Sequence, residues 1–269
     1  MHESQLAASA TSRTEHSRTA LRWLPVVALC AAAAWLVAVH GNQDVFIAIN
    51  QWARALPEPV WSCITILGTG ACAYSLLSFT LIRSPRLMAA ALMTGAFAGI
   101  YTHVIKPLAR TTRPAGVLSP EQIHVIGETL TSNSFPSGHS VTAFAFAGLL
   151  TFFFARPGRA ALVAIPLAIL VAVSRIAVGA HWPIDTLAGA AGGWVCGMAG
   201  EALSRRWAVW SKKPWRITFA LAMLGLAIGL ATSNLGYPQA VPLQWALAAL
   251  AFVGGALALR HALTVQAAS

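Results

Sequence analysis

Charge is scarce in this chain: 10% of its 269 residues are Asp, Glu, Lys or Arg, while 57% are hydrophobic. A soluble globular domain carries about 25% charged residues, so that class is excluded. Cysteine is scarce as well. Cys30, Cys63, Cys72 and Cys196 lie within apolar runs and share no paired spacing, which predicts buried free thiols in place of a disulfide or metal framework. No separate cluster of metal-ligating side chains occurs, so neither a metal nor another cofactor is expected. The first apolar run has no small-residue cleavage site after it and reads as a retained anchor, not a signal peptide. An inverted repeat, common in carriers, is missing too.

Apolar sequence of membrane-span length fills the chain instead. Eight candidate spans can be drawn, at 23–39, 61–82, 87–105, 140–154, 160–178, 184–203, 217–231 and 241–259. A bilayer core asks for about 20 apolar residues, so the fourth and seventh need flanking residues or protein-lined ends. The expected fold class is all-α, a polytopic helical bundle with the bilayer as its surroundings. The Ser/Thr/Ala-rich segment before it, residues 1–20, is expected to be a disordered cytoplasmic tail.

A net charge of +10 invites a nucleic-acid partner, but the distribution of cations argues against one. With the N-terminus placed in the cytoplasm, thirteen Lys and Arg residues fall on the inner side, among them Arg13, Arg18, Arg86, Arg156, Arg205 and Lys213. Only Arg54, Lys106, Arg110, Arg113 and Arg175 fall on the outer side. That asymmetry is the positive-inside pattern, so basicity reports topology: both termini cytoplasmic, outer loops facing the periplasm or exterior. Oligomeric state is not readable. Glycine pairs at helical spacing (Gly95 and Gly99, Gly225 and Gly229) and the stripe Gly189, Gly193, Gly197 predict close helix contacts of ordinary core packing. Trp23, Trp61, Trp182, Trp207, Trp210 and Trp215 sit at span ends, as an interfacial belt would. Glu201 is expected to pair with Arg205 at helical spacing.

Three segments concentrate chemistry: KPLARTTRP from Lys106 to Pro114, PSGH from Pro136 to His139, and SRIAVGAHWPID from Ser174 to Asp185. Each places cations, histidines or backbone-exposing residues at the end of an apolar run, where charge is costly without a task. Lys106, Arg113 and Arg175 can form a cradle for a phosphoryl group, the arginines with bidentate geometry. Ser137 and Gly138 open a helix whose free N–H groups suit an anion. His181 and Asp185 lie four apart at a helix start, so the carboxylate can fix one ring nitrogen and leave the other as a nucleophile. His103, Arg110, His124 and Glu128 are weaker candidates. His103 reads better as a satisfied buried histidine and Arg110 as a solvated loop cation.

These spacings, K-x6-RP, PSGH and SR-x5-H-x3-D, resemble the tripartite signature of the type 2 phosphatidic acid phosphatases, shared with vanadium haloperoxidases. The resemblance covers roughly residues 21–204. It implies a six-helix membrane phosphatase core at 21–205, with 206–269 as an extension carrying two more transmembrane helices. It also implies that His181 attacks phosphorus to form a phosphohistidine, that Asp185 orients it, and that His139 is the general acid. The substrate implied is a phosphorylated outer-leaflet lipid such as phosphatidic acid, phosphatidylglycerol phosphate, undecaprenyl diphosphate or lipid A, hydrolysed without a metal ion. A phosphotransferase passing the group to a second lipid stays open. A haloperoxidase fits less well, because that activity belongs chiefly to soluble members. A channel or carrier fits less well, because the charges gather at span ends and not at midspan.

Overall fold

The computed structural model describes residues 2–264, with side chains from Thr19 onward. Among these residues the regular elements are helices: α1 (His2–Ala38), α2 (Asn42–Trp52), α3 (Glu58–Ile66), α4 (Gly70–Leu76), α5 (Thr80–Arg83), α6 (Pro85–Ala109), α7 (Gly138–Phe153), α8 (Pro157–Ala177), α9 (Pro183–Ser204), α10 (Lys213–Thr232) and α11 (Val241–Thr264). Proline opens α6, α8 and α9, a position where its missing N–H leaves no hydrogen bond unmade. The chain is a multi-pass membrane protein of the expected all-α class. Among the described residues, five helices are long and apolar enough to cross a bilayer, six if the bent pair α3 and α4 counts as one span.

Helix α7 lies at the centre, packed by α6, α8 and α9, while α1 covers the outside of α9. The glycine stripe of α9 makes this possible: a Cβ at Gly193 would collide with the Val141 carbonyl, and one at Gly197 with that of Ala145. Between helices surrounded by lipid, such close approach supplies the dispersion contacts that hold them together. The hairpin of α10 and α11 packs on α4 and α5. Its Leu230, Tyr237, Leu247 and Ala248 share one apolar cluster with Trp61, Ile66, Ala177 and Val178.

Several expectations are corrected. The span expected at 61–82 is not one helix, because α3 and α4 meet at 77°. Thr69 restarts the chain by accepting the Cys72 N–H at 3.4 Å, and Gly68 leaves room for His139 and Val171, which a Cβ would strike. The segment expected as a disordered tail is helical as part of α1; its Ala, Leu, Glu, Gln and Arg residues favour continuation of the helix. The side chains of Arg13 and Arg18 lie outside the described residues. Cys30 is exposed on the outer face of α1, not buried, while Cys72 and Cys196 are buried as free thiols. Trp61 and Trp210 are buried, donating to the Ala53 and Ser204 carbonyls, whereas Trp23, Trp207 and Trp215 are exposed as a belt requires. Among the described residues, a Cβ added at Gly99, Gly225 or Gly229 would meet nothing within 4 Å, and one at Gly95 would meet the Tyr74 hydroxyl, so those pairs do not seat helices against one another.

Connectivity segregates the cations between the two ends of the bundle. At the end holding the α7–α8 turn, Glu201 is buried and accepts from Arg205 Nε at 2.7 Å and Arg86 Nη1 at 3.2 Å. The opposite end holds the ends of α6 and α8 and the starts of α7 and α9.

Candidate active site

All eight candidate residues gather at that opposite end. Lys106 stands in the last turn of α6, Arg113 on the loop after it, Ser137 at the cap of α7, Arg175 in the last turn of α8, and His181 and Asp185 around the start of α9. The Ser137 N–H donates to the Asp185 carbonyl at 3.0 Å, tying the PSGH turn to α9. The Ser137 hydroxyl caps α7, accepting from Ser140 N at 3.4 Å and Ser140 Oγ at 3.1 Å. Its side chain therefore shapes the turn, and the first N–H groups of α7, at Gly138 and its neighbour, are the ones that could receive an anion.

The two nitrogens of His181 have different neighbours. Nε2 lies 3.3 Å from Arg113 Nη1. A guanidinium has donors only, so Nε2 must accept, and the proton resides on Nδ1. Nδ1 faces Asp185 Oδ2 at 3.6 Å and Ser134 Oγ at 3.5 Å. Both separations are long, as is common before a substrate tightens a site. Asp185 is itself held by Ser134 Oγ at 2.5 Å and the Trp182 N–H at 2.9 Å. Ser134 thus bridges the histidine and the carboxylate, a role that no motif spacing announces. Burial, then the charges of Arg175, Arg113 and Lys106, and least of all that of His139, push the His181 imidazole well below its usual range. The ring is neutral, with its lone pair on the side of the cations.

The cations are held by backbone carbonyls. Arg113 Nε donates to Ser132 O at 2.7 Å and Nη1 to Ala180 O at 2.9 Å. The Asn133 carbonyl accepts from Lys106 Nζ at 2.8 Å and Arg113 Nη2 at 3.4 Å. Asn133 has φ 54, a conformation its short polar side chain tolerates, and this turns its carbonyl toward both cations. Arg175 is 2% exposed and donates from Nη1 to Thr65 Oγ1 at 2.5 Å and Tyr237 Oη at 2.7 Å. Neither Thr65 nor Tyr237 carries a sequence signal linking it to the motifs. Among the described residues, no group of three or more His, Cys, Asp or Glu is assembled that could hold a metal ion.

The loop between α6 and α7 is fastened as a roof. Asn50 Nδ2 donates to His124 O, Ile176 O and Ala177 O at 2.9, 3.1 and 3.0 Å, and Asn50 Oδ1 accepts from the His124 N–H at 2.8 Å. His124 Nε2 lies 3.1 Å from Glu58 Oε1, a pairing of two partly exposed side chains at the surface. The Glu128 N–H donates to Gly236 O at 3.2 Å, and the Glu128 side chain is exposed. Arg110 is exposed, as expected of a solvated cation. His103, expected to be buried, is also exposed and accompanies a lateral cleft of about 410 Å³. Gly68, Gly70, Tyr74, Gly95, Gly99, Gly138 and His139 line that cleft, which runs down the side of α7 and is mostly apolar.

Residues 86–213 match the sequence profile of the PAP2 superfamily. Over 110 residues the chain is 36% identical to a lipid A 1-phosphatase of Rhizobium etli, a match covering 38% of this chain and 44% of that relative. The chain therefore spans less than half the length of that curated relative. Among solved structures it is similar to the crystal structure of Aquifex aeolicus LpxE, with TM-score 0.53 and 24% identity, over 62% of this chain and 95% of that one. A transmembrane PAP2-type phosphatidylglycerolphosphate phosphatase from Bacillus subtilis aligns with TM-score 0.49 and 21% identity, over 68% of this chain and 97% of that one.

Proposed function

We propose, from the match of residues 86–213 to the PAP2 superfamily profile, that the chain is a lipid phosphatase acting on a phosphomonoester or diphosphate group of an outer-leaflet lipid. The observation that carries this reading is the neutral His181, its Nε2 lone pair directed at a guanidinium and its Nδ1 side backed by Asp185 and Ser134. Lys106, Arg113, Arg175 and the N–H groups at the start of α7 would hold the equatorial phosphoryl oxygens, where charge gathers in transfer.

His181 Nε2 forms a bond to phosphorus as the bond to the lipid oxygen breaks, and His139 delivers a proton to that oxygen. Asp185 stabilises the charge that appears on the His181 ring. In the second half, water loses a proton to His139 and attacks phosphorus. The P–N bond breaks, its electron pair returns to Nε2, and inorganic phosphate departs. The fixed cations take the place of a divalent ion, so activity should survive chelation.

The lateral cleft beside His139 is the natural seat for the apolar part of a lipid whose phosphate lies under the roof. Cation segregation orients the chain by the positive-inside rule, with the site toward the periplasm and the Glu201 end in the cytoplasm of a bacterial inner membrane. Phosphate release by the purified chain from phosphatidic acid, phosphatidylglycerol phosphate, undecaprenyl diphosphate and lipid A, with inhibition by orthovanadate, tests the reading. Absence of release from all four overturns it, and label recovered on a second lipid replaces hydrolysis with transfer.

A further inference from the structure

Arg175 carries a buried positive charge, and among the described residues no carboxylate lies within ion-pair distance of it. A buried cation without a counter-ion is unfavourable, so its surroundings indicate what completes it. Nη1 is fully engaged, donating to Thr65 Oγ1 at 2.5 Å and Tyr237 Oη at 2.7 Å. Nε is buried with no partner. In a guanidinium, Nε and Nη2 form one edge, the pair of parallel donors that grips two oxygens of a phosphate, and Nη1 lies on the opposite side. The two hydroxyls therefore hold the far side of the group and leave the gripping edge free.

Thr65 comes from α3, but Tyr237 comes from the segment between α10 and α11, beyond the stretch that matches the superfamily. That segment is seated firmly. The Gly236 carbonyl accepts from the Glu128 N–H at 3.2 Å, and Gly236 has φ 80, which a residue with a Cβ rarely adopts. The Tyr237 ring is buried in the cluster shared with Trp61 and Val178, and the Arg175 guanidinium carbon lies 5.8 Å from its centroid.

We infer that Tyr237 is a positioning residue of the active site: its hydroxyl sets the rotation of Arg175 so that the Nε and Nη2 edge meets the phosphoryl group, and the C-terminal hairpin thereby completes the phosphate cradle. This inference rests on the phosphatase reading above.

The test uses the full chain in detergent and the variants Tyr237→Phe, Arg175→Lys and their combination. Tyr237→Phe keeps the ring and removes only the hydrogen bond. Loss of one bond to a charged group predicts about 10-fold lower kcat/KM and orthovanadate inhibition weakened by about the same factor, with little change in melting temperature. Because the hydroxyl acts through the guanidinium, Tyr237→Phe should change nothing further in the Arg175→Lys background. Wild-type kinetics in Tyr237→Phe would overturn the inference. So would an equal loss in both backgrounds, which marks a merely structural role. If the wild type releases no phosphate from any lipid, the phosphatase reading fails on its own. The stabilisation by orthovanadate in a thermal melt, compared across the same four proteins, then decides the placement of Arg175 without turnover.

Discussion

The two ends of this bundle use the same residue types in opposite ways. At the Glu201 end, arginines surround a buried carboxylate or lie over an aromatic ring, as Arg86 does 4.1 Å from the Phe153 centroid. The buried Glu201 carboxylate there is neutralised within the chain by Arg86 and Arg205. At the other end Lys106, Arg113 and Arg175 converge on neutral acceptors, chiefly carbonyls and hydroxyls. Asp185, the carboxylate at their centre, is engaged by Ser134 and the Trp182 N–H. The buried charge of one end is matched inside the chain, while the buried cations of the other lie against neutral groups and Asp185, an arrangement that a phosphoryl dianion would complete. Stability and catalysis are thus distinguishable by where a cation finds its negative charge.

Substitutions can break that contrast in graded steps. Replacing His181 by Ala removes the proposed nucleophile and should lower phosphate release by about 10⁴-fold or more. A folded, orthovanadate-binding variant with full turnover would refute the assignment. Arg175→Lys keeps the charge but loses the paired edge, and kcat/KM should fall by about 10²-fold. Ser134→Ala leaves Asp185 and the Nδ1–H without their bridge, for an expected loss of about 10-fold in kcat.

The pH profile sharpens the same point. His181 is held neutral well below the ordinary imidazole value of about 6.5, so kcat/KM should show no limb from this ring as pH falls through 6.5. The sign for stability follows from the same shift. The unfolded chain takes up this proton near 6.5 and the folded chain only at much lower pH, so acidification below 6.5 favours unfolding. At the closed end, Glu201→Gln should leave kcat within about twofold while lowering stability by about 1–3 kcal/mol, read as a fall in melting temperature. A large kinetic effect there would erase the distinction between the ends.

The gathering of the candidate residues was legible in the sequence because they sit at helix ends, at spacings that local geometry enforces. His181 and Asp185 share a turn, and PSGH opens a helix. The supporting residues were not legible. Ser134, Thr65, Asn50 and Tyr237 act across 51, 110, 126 and 62 positions, distances at which a hydroxyl or amide leaves no periodic trace. The break in the second span did carry a signal, the Gly68-Thr69-Gly70 run with its capping threonine. Hydropathy alone passed over it, since both halves are apolar. The glycine pairs misled for a related reason. Spacing says that two small residues share a helix face, but not whether the face meets a helix, a tyrosine hydroxyl or nothing.

The roof pinned by Asn50, Glu58 and Gly236 has a kinetic consequence. On the proposed lipid-phosphatase reading, with the top fastened and the glycine-lined cleft beside His139 as the lateral opening, encounters would take place within the plane of the leaflet. The quantity that saturates such an enzyme is then a mole fraction, amphiphile molecules per unit area of film. Diluting the lipid with inert detergent at fixed bulk concentration should slow the rate, and adding more micelles of unchanged composition should not.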